Sequence, residues 1–187
     1  EKVILNHLLG KRPYGVYLLF NDRTRAITAD FDTTNRLPPI EFQHSDKHYG
    51  IDAYLERSKS KGYHVWIFFK KEGVLAQKAR LVVQHVLEEI EHPETEVFPK
   101  QDKLDGNSRF GNFINTPLFG SLVPKGKTVF IDPYTFEPYA NQWELLNSVN
   151  RHDESLLDKI IEMNNLSNMP DQQYPKQVKP NLKVGST

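Results

Sequence analysis

Residues 27–35 read ITADFDTTN, with two aspartates, Asp30 and Asp32, one residue apart at the end of an apolar run. Side chains at i and i+2 of a strand point to the same face, so these two carboxylates would lie side by side. Like charges at that separation repel unless a cation or hydrogen bonds offset them. Carboxylates are hard oxygen ligands suited to magnesium or manganese, and a divalent cation between them would resolve the repulsion. The plainer alternative is a surface turn, with Asp32 capping a helix that starts near Thr33.

Three further stretches carry chemistry-bearing residues. Residues 56–69, ERSKSKGYHVWIFF, place a polar, basic, glycine-bearing turn directly before a buried-type strand. The hydroxyls of Ser58 and Ser60, the backbone amides around Gly62, and Lys61 could hold phosphate oxygens, as nest-like turns do. His64 opens the strand and could donate to a phosphate; the alternative is a hairpin turn with a histidine satisfied by a neighbour. Residues 96–117, EVFPKQDKLDGNSRFGNFINTP, bring Asp102 after a short β-type segment, Gly111 for close backbone approach, and Arg109 and Asn112 as donors. Asp132, in TVFIDP, is a turn starter or a reserve ligand. An Asp pair, a later Asp, and a basic turn with histidine form the parts of a two-metal nucleotidyltransferase. In such a site metals bridge the triphosphate and the attacking 3′ hydroxyl, and cationic groups steady the leaving pyrophosphate.

The elements that must position these groups follow from hydrophobic period and turn residues. Residues 2–9 read as a short helix stopped by Gly10. Residues 14–20 and 24–30 read as paired strands around an Asn21-Asp22 turn, which leaves Asp30 and Asp32 at a strand end. Residues 33–50 are polar, hold two prolines and read as a loop or short helix. Strands are expected at 52–57 and 63–69, the latter rich in aromatic and branched residues, with a turn at 58–62. The clearest helix spans 74–91, where Leu75, Ala79, Val82, Val83, Val86, Leu87 and Ile90 recur at helical spacing before Pro93. Short strands follow at 95–99, 110–116 and 127–132, then helices at 141–149 and 153–164. From Asn165 the chain is rich in proline, asparagine, glutamine and lysine and reads as a tail. The expected division is a catalytic domain over 1–150 and a C-terminal helix with flexible tail over 151–187.

Composition narrows the classes. The chain has 187 residues, 38% apolar and 26% charged, enough for one domain with a real core. Its formal net charge is zero, so any nucleic-acid site must come from a local cluster. There is no cysteine, which excludes disulfides, thiolate zinc sites and cysteine nucleophiles, and fits a cytoplasmic protein. No apolar run approaches the ~20 residues that span a bilayer, so no membrane partner is expected. The chain opens Glu1-Lys2 without an initiator methionine, which suggests a piece of a larger multidomain protein.

In this order, the motifs resemble those of the archaeo-eukaryotic primase superfamily, and in particular the primase-polymerases of conflict systems, including CRISPR-associated ones. The resemblance rests on DFD at 30–32, ERSKSKGYHVWIFF at 56–69, VFPKQD at 97–102, the following FGNFINTPLFG, and the opening HLLGKRPYGVYLLF at 7–20. It covers residues 7–146. The second turn is one residue shorter than in many relatives, Ser60 running directly into Lys61-Gly62.

The resemblance implies an α+β fold in which a small α/β unit joins a sheet like that of RNA-recognition folds, with the active site in the cleft between them. It implies a template-dependent primase or polymerase that uses two divalent metals, magnesium or manganese. Nucleoside triphosphates, either ribo- or deoxyribonucleotides, would be joined on a single-stranded DNA template and primer. Asp30, Asp32 and Asp102 carry over as metal ligands, Asp102 fitting the spacing to FGN better than Asp132. Ser58, Ser60, Lys61, Gly62 and His64 carry over as the triphosphate corner, with Arg109 and Asn112 as further nucleotide contacts. Two other readings compete: a two-metal nuclease, which needs no triphosphate corner, and an inactive nucleic-acid-binding module, which has no reason to keep repelling carboxylates together.

Overall fold

A computed structural model describes residues 1–104 and 110–166. Arg109 and nearly all of the tail expected from Asn165 lie outside the described residues. In chain order the elements are α1 (Lys2–Leu8), β1 (Gly15–Tyr17), β2 (Leu19–Phe20), β3 (Arg23–Thr24), β4 (Ala26–Phe31), α2 (Leu37–His48), β5 (Ala53–Arg57) and β6 (Tyr63–Phe68). There follow β7 (Val74–Leu75), α3 (Ala76–Glu89), β8 (Glu96–Phe98), β9 (Phe113–Asn115), β10 (Val129–Phe130), α4 (Gln142–Ser148) and α5 (Glu154–Met163). Among the described residues, no helix is long and apolar enough to cross a membrane.

The centre is a five-stranded antiparallel sheet in the order β10-β5-β6-β4-β8. Its core run β4-α2-β5-β6-α3-β8 is a β-α-β-β-α-β unit with β4 and β6 in the middle, the arrangement of an RNA-recognition fold. The α+β class expected from the sequence is therefore the class observed. Period-2 alternation explains the layering. Ile27, Ala29 and Phe31 of β4, Val65 and Ile67 of β6, and Leu55 of β5 turn to one face and join a single core with Phe42 of α2 and Val82, Val83, Val86 and Leu87 of α3. Each of these valine, leucine, isoleucine and phenylalanine side chains, fully buried, contributes about 1.5–3 kcal/mol. This core fixes the register of β4 and β6, because a one-residue slip would turn those side chains out and Asp30 in.

Two local expectations change. The stretch 33–50 holds a 12-residue helix, α2, because Pro38 and Pro39 sit in its first turn, where no intrahelical N–H is needed. Its start at Leu37 also leaves Asp32 outside any capping position. The strand expected over 14–20 breaks at Leu18: β1 pairs with β9, while only β2 and the two-residue β3 form the Asn21-Asp22 hairpin. The rest of the expected hairpin partner, β4, crosses instead to the middle of the large sheet, where both of its edges pair. Strand propensity was legible there, but pairing partners are decided by the shared core.

Helix α5 packs against α3, with Leu157 and Ile160 in the main core. Glu154 clamps it, accepting from Arg23 at 2.7 Å, Lys78 at 2.8 Å and the Leu75 backbone at 3.2 Å.

Candidate active site

The sheet face opposite α2 and α3 is divided. One half is apolar: Trp66, Phe98 and Phe130 pack with Ile114 of β9 and with Val16 and Leu18, so the β1–β9 ribbon covers it. The half beside it is polar and built from one line of cross-strand neighbours. Register places Glu56 opposite His64, His64 opposite Asp30, and Asp30 opposite Glu96. One residue from each of β5, β6, β4 and β8 thus forms a continuous row, Glu56–His64–Asp30–Glu96, on one face.

His64 is the hinge of the row. Its Nδ1 lies 2.8 Å from Glu56 Oε2, which also accepts from Trp66 Nε1 at 2.7 Å, and its Nε2 lies 3.5 Å from Asp30 Oδ1. Burial opposes charging the ring, but the charge of Glu56, its hydrogen bond and the charge of Asp30 outweigh it and hold the imidazole pKa above its ordinary value. Asp30 is under the opposite pressure. Burial pushes its carboxyl upward, His64 pulls it back, and the charges of Glu96, Asp32 and Glu56 push it up again. The carboxylates around Asp30 therefore repel across the row, and added positive charge would relieve them.

The turn after β5 is held against this row. Ser58 donates from its backbone N–H to Gly62 O at 3.1 Å and from its hydroxyl to Lys61 O at 2.9 Å. Gly62 has φ +96°, and a Cβ there would stand 2.2 Å from Phe31 O, so only glycine lets the turn lie against the end of β4. This contact brings Lys61 Nζ to 3.6 Å from Asp32 Oδ2. Ser60 and Lys61 are exposed, Lys61 beside Asp32, whereas Ser58 is buried and its hydroxyl already donates within the turn.

The other expected site residues are placed differently. Asp102 Oδ1 accepts from Arg80 Nε at 2.6 Å, and Arg80, on the buried side of α3, also donates to Pro99 O at 2.7 Å. Asn112 Oδ1 accepts from Gln101 Nε2 at 2.7 Å. Asp132 Oδ1 accepts from the backbone of Tyr134 and Thr135 at 2.9 and 2.8 Å, which holds its carboxyl below the usual range; it is a turn starter. The acidic neighbour of Asp30 is Glu96, which the sequence reading passed over. Its Oε1 accepts from Lys100 Nζ at 2.7 Å. Its strand, three residues long, is too short for alternation to mark it, and only the pairing with β4 shows that Glu96 and Phe98 share the face of Asp30. Glu56 was legible, because residues 56 and 64 are equidistant from the turn centre at Ser60 and so become cross-strand partners.

Asp30, Asp32 and Glu96 form an all-oxygen donor set of the kind hard divalent cations take. As the side chains stand, no group of three or more His, Asp or Glu among the described residues is drawn together tightly enough to hold a metal ion. The Asp32 and Glu96 side chains are 73% and 57% exposed, so both have room to change rotamer toward Asp30.

The family model described as the archaeo-eukaryotic primase domain of TOTE conflict systems matches residues 1–160. No curated protein matches the chain.

Proposed function

The chain belongs to the archaeo-eukaryotic primase domain family of TOTE conflict systems, and from that premise we propose that it is a template-dependent nucleotidyltransferase acting on nucleoside triphosphates. The observation that carries this reading is the row Glu56–His64–Asp30–Glu96 with the Ser58–Gly62 turn held at its end. Strand hydrolysis needs the acids but no corner for a triphosphate, which the exposed Ser60-Lys61 turn would supply.

In this reading Asp30, Asp32 and Glu96 hold divalent cations, magnesium or manganese, and Glu96 takes the place first given to Asp102, whose carboxylate is engaged by Arg80. Bound there, the cations would supply Lewis acidity to the 3′ hydroxyl and positive charge to the triphosphate. The protein's own part is positional and electrostatic. Lys61, Ser60 and the backbone of the turn receive the β- and γ-phosphates. His64 presents Nε2 toward the same region and offsets charge on the departing pyrophosphate. The 3′ oxygen of a primer on a single-stranded template forms the new bond to the α-phosphorus, and the bond to pyrophosphate breaks.

The test is a primer-extension assay with magnesium or manganese and with ribo- and deoxyribonucleotides in separate arms. Incorporation that depends on template and metal, and is lost on replacing Asp30 and Asp32 by asparagine, supports the reading. Degradation of the strand without incorporation points to the nuclease, and salt-sensitive binding without either points to a binding module.

A further inference from the structure

Glu56 is 1% exposed, and a carboxylate in such a place needs its lone pairs filled. One oxygen, Oε2, serves both Trp66 Nε1 and His64 Nδ1. A carboxylate only accepts, so the hydrogen in the second contact belongs to Nδ1. The ring is further fixed by an edge-on contact with Trp66, centroids 6.1 Å apart at 84°. With Nδ1 committed inward, Nε2 is left as the ring atom that faces the open side of the sheet beside Asp30.

We propose that Glu56 is a positioning residue, which locks the His64 ring with Nδ1–H inward, so that Nε2–H of the charged ring is the donor that meets the substrate's phosphate. Trp66 steadies the arrangement by holding the shared oxygen, so that the carboxylate keeps its aim. The ring geometry stands on the hydrogen bonds alone, while its consequence for phosphate rests on the nucleotidyltransferase reading.

Long-range ¹H–¹⁵N correlation spectra of the parent protein, recorded on the alkaline side where the ring is neutral, read the His64 tautomer directly. The expected result is a proton on Nδ1; a proton on Nε2 overturns the proposal without any variant being made. In E56L no acceptor faces Nδ1, so the Nδ1–H form is expected to lose its excess over Nε2–H, and an unchanged tautomer in a folded E56L overturns the proposal as well. Adding ATP with magnesium is expected to shift the Nε2 resonance of the parent. In primer extension E56L is expected to lower kcat at least about tenfold with a smaller change in KM. A parent that extends primers and an E56L that matches it would sink the positioning role. A parent that incorporates nothing would sink the activity reading, while the tautomer spectra still decide what Glu56 does.

Discussion

His64 Nε2 stands 3.5 Å from Asp30 Oδ1, and the two residues are direct cross-strand partners in the middle of the sheet. They are 34 positions apart in the chain, as their numbers show. Each is held by a strand whose opposite face is locked into the main core by Ile27, Ala29, Val65 and Ile67. The site thus inherits its geometry from the core, and a carboxyl and an imidazole are brought together before any ligand arrives.

Asp30 is expected to show a trade between stability and activity. Its carboxyl is raised by burial and by neighbouring acids. A raised acid favours its protonated form in the fold, so stability declines as pH rises above the ordinary carboxyl range toward the folded pKa. Asp30→Asn removes that penalty and is expected to stabilise the fold at neutral pH by up to about 1 kcal/mol. The same variant, alone or with Asp32→Asn, is expected to lose primer extension by roughly a hundredfold or more. Magnesium or manganese should raise the melting temperature of the parent and not of the double variant. A double variant that extends primers like the parent would remove Asp30 and Asp32 from the metal site.

Glu96 and Asp102 are separable by paired substitutions. Glu96 neighbours Asp30 in the row, whereas Asp102 is joined to Arg80, a side chain 5% exposed. Glu96→Gln is expected to reduce turnover roughly tenfold or more with little change in melting. Asp102→Asn takes one charged partner from a buried guanidinium and is expected to cost about 1 kcal/mol, discounted because Asp102 is partly exposed, while the folded fraction keeps its turnover. The opposite pattern, activity lost with Asp102 and kept without Glu96, would restore Asp102 as the third ligand.

Gly62 couples the turn to the aspartate strand. An alanine there faces both φ +96° and a 2.2 Å approach to Phe31 O, and backbone cannot give way as a flexible side chain would. Gly62→Ala is expected to cost about 2 kcal/mol or more, or to lift the turn and raise KM for the nucleotide. Denaturant unfolding and KM measured together check both routes; a variant unchanged in each would show that the turn does not depend on this contact.

Much of this architecture was legible in the sequence. The α3 stripe and the β6 run announced themselves by period and composition, because their burial is one-sided or complete over many residues. Asp30, Lys61 and His64 stood out for the same reason: they lie in or beside strands whose identity was plain. What stayed hidden were relationships that only pairing creates. Glu96 lies in a three-residue strand, too short for alternation to stand out, and its meaning comes from standing opposite Asp30. Asp102 looked right by linear spacing, but the Arg80 that engages it comes from a helix 22 positions earlier. Helix α2 was obscured by prolines whose first-turn positions become visible only once the helix start is known.

Asp46 carries the last prediction, and it lies outside the row. It is completely buried in α2, and neither carboxyl oxygen has a hydrogen-bond partner among the described residues, although its backbone carbonyl accepts from Tyr49 and Ile51. Burial alone pushes its carboxyl well above the ordinary range. The folded chain therefore holds a proton that the unfolded chain releases near pH 4, and stability falls as pH rises from there until the folded pKa is reached. Asp46→Asn preserves shape and removes the ionisable group. It is expected to be more stable than the parent by about 1–2 kcal/mol at pH 7, with the gap closing as the pH is lowered toward 4. Chemical denaturation of both proteins across that range gives the answer. A gap that is absent at pH 7, or that widens in acid, would mean that Asp46 finds a partner in solution and that the interior around α2 is wetter than its packing indicates.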